Sequence, residues 1–113
     1  MTRKKVLSIV FSANMLELRR MVLEQAGYAV TSVQGTQEAY ALKPPLDFDA
    51  VIVGHAVPRQ EIEAMLAWVK VNMPRARIVA LQSANSERLQ LADFCADPYE
   101  PEQWVNTVSQ AVA

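Results

Sequence analysis

Short apolar runs and helical stripes alternate along this chain. Val6 to Phe11 is a nearly continuous apolar run, the pattern of a strand buried on both faces. Asn14, with Glu17 three residues on, predicts a helix start of the capping-box kind. Met15, Leu18, Val22 and Ala26 follow at helical spacing, and Gly27 supplies the stop. Tyr28 to Val33 reads as a second strand, Gln34-Gly35-Thr36 as a turn, and Gln37 to Leu42 as a short helix ended by Pro44-Pro45. Asp49 to Val53 is a third apolar strand, followed by a loop from Gly54 to Pro58. Ile62, Met65, Leu66, Val69 and Met73 then form one face of an amphipathic helix that Pro74 terminates. Arg77 to Leu81 is a fourth strand and Ala92 to Ala96 a weaker fifth. Between them Ser83 to Leu91 is polar and leaves room for two helical turns at most. Asp97-Pro98 starts a turn, Pro101 suits the first position of a last helix, and Trp104, Val105, Val108 and Val112 mark its apolar stripe. Strand and helix alternating five times over imply an α/β fold, a parallel sheet with right-handed crossovers and helices on both faces. No repeat, linker or low-complexity stretch divides residues 1–113, so one domain is expected.

Composition narrows what such a domain would do. Of 113 residues, 51% are hydrophobic and 20% charged, which argues for a packed core and against disorder. The net charge is −1, so no basic excess exists to neutralise the phosphates of nucleic acid or an anionic membrane. Arg3-Lys4-Lys5 reads as a solvated lead-in to the first strand. One cysteine (Cys95) and one histidine (His55) exclude an internal disulfide and leave no set of soft metal ligands. Cys95 reads as an inert thiol, since no basic residue lies near it in sequence. The apolar run after Arg3-Lys4-Lys5 is interrupted by Ser8 and soon followed by Glu17, Arg19 and Arg20, too short for a secretory signal or a membrane span. A cytoplasmic location is expected.

In an open parallel sheet, ligands bind beyond the carboxyl ends of the strands. Here that rule selects Val10, Phe11 and Ser12 after the first strand and Gly54 and His55 after the third. It adds Gln82 and Ser83 after the fourth and Asp97 after the fifth. Three segments then resemble a known family. They are Lys4-Lys5-Val6-Leu7 with a helix closing on Glu24-Gln25-Ala26-Gly27-Tyr28, the stretch Asp49 to Pro58, and Asp97-Pro98-Tyr99-Glu100-Pro101-Glu102. In that order and spacing they resemble a response-regulator receiver domain over essentially the whole chain. The resemblance implies a flavodoxin-like doubly wound sheet of five parallel strands in the order 2-1-3-4-5. It also implies a fourth helix that the nine residues from Ser83 to Leu91 shorten or remove.

The family's working residues do not carry over. Its phosphoryl-accepting aspartate, four residues before the loop proline, falls on Gly54. Its Mg2+-binding acidic pair falls on Val10 and Phe11, or on Phe11 and Ser12 one residue later. Its switch Ser/Thr falls on Gln82 and its corner lysine on Asp97. Glycine has no nucleophilic oxygen, Val and Phe cannot hold a hard cation, and an aspartate would repel a phosphoryl group. The expectation is a degenerate, non-enzymatic receiver with no metal and no cofactor. It would signal through a protein partner such as a histidine kinase, or through a homodimer. Two alternatives use the same rim. One is a small-ligand sensor with Ser12, His55 and Ser83 as contacts. The other is an enzyme built on His55 and Asp97. Met15, Met21, Met65 and Met73 are expected to fill core, whereas Trp68, off the stripe of its helix, marks a candidate partner surface.

Overall fold

The computed structural model describes residues 3–44, 46–55, 57–83 and 85–113. Pro45, Ala56 and Ala84, which the sequence reading places in a helix stop and two loops, lie outside them. The chain runs β1 (Lys5–Val10), α1 (Ala13–Gln25), β2 (Ala29–Gln34), α2 (Gly35–Tyr40), β3 (Ala50–Val53), α3 (Arg59–Asn72), β4 (Arg77–Leu81), β5 (Phe94–Ala96) and α4 (Pro101–Val112). The five strands form one sheet in the order 2-1-3-4-5, every pair parallel. None of the described residues between β4 and β5 is helical, so the sheet carries four helices.

Strand alternation sends side chains to two cores. Leu7, Ile9, Val51, Val53, Ile78 and Ala80 meet the α3 stripe of Ile62, Met65, Leu66, Val69 and Met73 on one face. Val6, Ala50, Ile52, Val79 and Leu81 meet Leu23 of α1 and Trp104, Val108 and Ala111 of α4 on the other. Full burial of each such aliphatic side chain contributes about 1.5–3 kcal/mol. β3 and β4 are apolar almost throughout because both of their faces are covered, whereas the edge strand β2 alternates with polar residues and is mostly accessible.

Several local expectations shift. Ser12, in extended backbone, is the cap of α1, and Asn14 lies inside the first turn. The α1 stripe is also rotated. Leu18 and Met21 are exposed and Ala26 lies at the surface, while Arg19 and Leu23 are buried. Helix α2 begins at Gly35, two residues early and directly out of β2. Gly35 adopts a φ of 81°, which only glycine takes without strain, and the Glu38 carboxylate accepts the Gln34 N–H at 2.9 Å. β5 begins at Phe94, later than expected, and Asp93 just before it accepts the Ile78 N–H through Oδ2 at 2.8 Å while donating its own N–H to the Ile78 carbonyl at 3.0 Å.

The loop that stands in for a fourth helix is held by side chains. Gln82 donates through Nε2 to the Glu87 carbonyl at 2.9 Å and accepts the Leu89 N–H through Oε1 at 3.1 Å. Arg59 donates to the carbonyls of Glu87 and Arg88 at 2.6 and 3.1 Å. A chain segment without helical bonds must satisfy its backbone in this way or with water. Gln82→Leu removes two of these bonds, and the Leu89 N–H loses its partner. We expect a loss of about 1–3 kcal/mol, read from urea unfolding.

Candidate functional site

The carboxyl ends of β1, β3, β4 and β5 form one rim. Val10 closes β1 and is fully buried, and Phe11 is half-buried and packs against the α3-side core. Gly54 follows β3 directly, is buried, and donates its N–H to the Ile9 carbonyl at 2.8 Å. Asp97 follows β5, and its Oδ1 accepts the Tyr99 N–H at 2.8 Å, an Asx turn that fixes the corner before α4. Ser12 is half-buried, and its hydroxyl makes no cap bond. No oxygen nucleophile stands at Gly54, and no carboxylate stands at the end of β1.

What occupies this place is a residue the sequence reading passed over. Arg19 of α1 is only 3% exposed. A Cβ built on Gly54 would lie 2.7 Å from Arg19 Nη1, so the guanidinium sits directly against the glycine. Nη2 is buried and has no hydrogen-bond partner among the described residues. Burial lowers the Arg19 pKa, and the Tyr99 phenol acts in the opposite sense. An arginine nonetheless stays protonated in a folded protein. The signal was present in the spacing: Arg19 lies four residues from Met15 and four from Leu23, on the stripe that turns inward. Arg20 beside it behaves as an ordinary surface residue, paired with Glu17 and Glu24.

His55 and Tyr99 complete the rim. His55 Nε2 and the Tyr99 hydroxyl are 3.1 Å apart, and the rings meet edge to face with centroids 5.4 Å apart. His55 Nδ1 is buried without a partner among the described residues. His55 and Asp97, the pair required by the enzyme reading, share no hydrogen bond among the described residues, and Asp97 is engaged by Tyr99. Burial first, and then the charge of Arg19, push the His55 pKa below its usual value, with Asp97 opposing them. An unfolded histidine therefore takes up its proton first as pH falls below about 6.5. Stability is full above that pH and is lost on acidification toward the lower folded value. His55→Gln should remove this component, so unfolding midpoints at about pH 7.5 and about pH 5.5 should differ more in the parent than in the variant.

Two cavities flank the rim. One, of about 250 Å3, is lined by His55, Leu81, Gln82, Ser83, Leu89 and Tyr99, among others. A second, of about 380 Å3, brings Gln82 and Ser83 to Cys95 and Asp97. Val10, Phe11, Ser12 and Gly54 line neither. Ser83 is exposed and its hydroxyl meets that of Ser86 at 3.0 Å. Cys95 is half-buried and donates to Gln82 Oε1 at 3.2 Å. Trp68 is half-buried against the core and meets the exposed Tyr40 edge to face at 5.1 Å. It is therefore part of a packed pair and not a free exposed indole. Met65 and Met73 are core, whereas Met21 is half exposed.

Neither a family model nor a curated protein matches this sequence. Solved structures do match in fold. The chemotaxis response regulator CheY4 of Vibrio cholerae superposes with a TM-score of 0.81 at 22% identity, over 97% of this chain and 99% of that one. The response regulator TrrA of Thermotoga maritima, in complex with Mg2+ and BeF, gives 0.79 at 18% identity over 97% and 99%. The signal receiver domain of a histidine kinase from Syntrophus aciditrophicus gives 0.78 at 19% identity over 96% and 89%.

This chain has the receiver fold. Its rim does not fit the Mg2+ seen with that fold in the Thermotoga protein. Val10, Phe11 and Gly54 offer no side-chain oxygen, and no cluster of three metal-ligating side chains occurs among the described residues. The Arg19 cation already lies against Gly54 and would repel a second cation. Among the described residues, no helix is long and apolar enough to cross a membrane.

Proposed function

We propose that this chain is a signalling module of receiver fold that acts in the cytoplasm through protein–protein contact, without phosphoryl transfer and without enzymatic activity of its own. The observation that carries the reading is the pairing of Gly54 with Arg19. Where a receiver needs a nucleophilic carboxylate beside a hard cation, this rim holds a glycine covered by a guanidinium. The partner would be a protein of two-component type, such as a histidine kinase, or a second copy of this chain.

Incubation with acetyl phosphate and Mg2+, followed by intact mass, tests the reading. The mass should be unchanged under conditions that label an active receiver run alongside. An adduct of one phosphoryl group on this chain would overturn it. The cavity between His55, Leu89 and Tyr99 favours a second reading, a small-ligand sensor of which His55 and Ser83 would be contacts.

A further inference from the structure

We infer that the rim between Arg19, His55 and Tyr99 is a binding site for a small oxyanion, a phosphate or a carboxylate. Arg19 is buried to 97% solvent exclusion, being 3% exposed, and no acidic side chain hydrogen-bonds it among the described residues. Nη2 in particular is buried with its hydrogen-bonding capacity unused. A buried ionised group without a partner costs several kcal/mol, and native folds rarely leave one so. Nearby, His55 Nδ1 is a second buried polar atom without a partner among the described residues, and the Tyr99 hydroxyl is a third group that can donate. A neutral His55 has one N–H, so either Nδ1 donates to the rim while Nε2 accepts the Tyr99 O–H, or Nε2 donates to Tyr99 and frees its O–H; Arg19 and one member of that pair can thus donate together.

The chemistry of these groups selects the ligand. A guanidinium pairs most strongly with a carboxylate or a phosphate, through charge-assisted hydrogen bonds. A cation is excluded by the charge of Arg19, and an apolar ligand would leave Nη2 unsatisfied. Gly54 matters here because any side chain at that position would push the guanidinium from its place against the glycine. The 250 Å3 cavity is lined by His55 and Tyr99 and not by Arg19, so an anion would reach the guanidinium by displacing the Tyr99 ring, which is 76% exposed and joined to His55 by a single bond of 3.1 Å. The rim is thereby inverted in sign relative to a metal-binding one: a fixed positive charge recruits an anion. This inference stands apart from the signalling reading, since a chain that resists phosphorylation need not bind an anion, and the reverse also holds.

The test is titration of the isotope-labelled chain with inorganic phosphate and, separately, with acetate, at constant ionic strength set by chloride. Backbone amide shifts should move saturably at Gly54, His55 and Tyr99 with at least one of the two anions. Arg19→Met should weaken that binding at least tenfold, and Arg20→Met, which removes the neighbouring surface charge, should leave it within about twofold. Arg19→Lys retains the charge and should keep part of the affinity. The wild-type shift map provides a check that needs no variant. Saturation by neither anion, shifts confined to other surfaces, or binding that survives Arg19→Met would each overturn the proposal.

Discussion

Arg19→Met is expected to raise the stability of this fold by about 1–3 kcal/mol in a buffer free of phosphate and carboxylate. The direction is unusual, since most substitutions at a buried position destabilise. It follows from the state of the side chain. The guanidinium is almost wholly removed from water, its Nη2 has no partner among the described residues, and burial is the largest influence on its proton affinity. Methionine keeps much of the length and packing of the arginine stem and removes the charge. Ile9, Val10 and Leu23, fully buried, supply apolar surroundings in this part of the fold. Urea unfolding measures the effect, and a domain of this size should gain roughly 4 °C or more in Tm per kcal/mol. In saturating phosphate the difference should shrink, because a bound anion stabilises only the form that retains Arg19. A loss of more than about 1 kcal/mol in the variant would mean that the charge is already well paired in the folded chain.

Gly54→Ala should cost about 1–3 kcal/mol although it adds one methyl group. The added Cβ would meet Arg19 Nη1 at 2.7 Å, the Ile9 carbonyl oxygen at 3.2 Å and Val10 Cα at 3.6 Å. The first contact is impossible without movement. The second is set by the β1–β3 pairing, in which the Gly54 N–H donates to that same carbonyl. Alanine also restricts the unfolded chain, which offsets the cost by about 0.4–1 kcal/mol where the backbone suits it. The two positions should couple. In the Arg19→Ala background the penalty at Gly54 should fall by about 0.5–3 kcal/mol, as measured by a double-mutant cycle. A coupling near zero would place the obstruction on the Ile9 carbonyl alone. The same geometry indicates what restoring a carboxylate would do: an aspartate at Gly54 would meet a guanidinium at contact distance and form an ion pair.

The parts of this molecule legible from its residues are those governed by local pattern. Apolar runs with both faces covered located β1, β3 and β4 within a residue, β-rich composition located β2 as closely, and the 3.6-residue period of Ile62, Met65, Leu66, Val69 and Met73 identified the buried face of α3. The shortness of the polar stretch after β4 implied a fourth helix shortened or missing, and none of its described residues is helical. Boundaries slipped at strand starts, as at β5, which begins at Phe94 after Asp93, whose carboxylate takes the Ile78 N–H. The places of Val10, Phe11, Gly54, Gln82 and Asp97 at or just beyond the strand ends could also be read in advance, because strand order and strand ends place those residues without reference to side-chain contacts.

Tertiary structure alone decided what fills that rim. In sequence Arg19 and Arg20 look alike, and both sit near glutamates. The rotation of α1 on the sheet turns Arg20 toward Glu17 and Glu24 in solvent and carries Arg19 over Gly54. The same face carries Leu23 into one core with Trp104, Val108 and Ala111 of α4, an association between segments about 80 residues apart that no local period contains. Likewise Gln82 looked like a lost switch residue, and only the folded loop shows it binding Glu87 and Leu89. Hydrophobic periodicity determines which elements form and roughly which faces turn inward. Whether a charged side chain at the border of such a face is buried or solvated depends on what the neighbouring elements leave room for. In this protein that choice gave the site its positive charge.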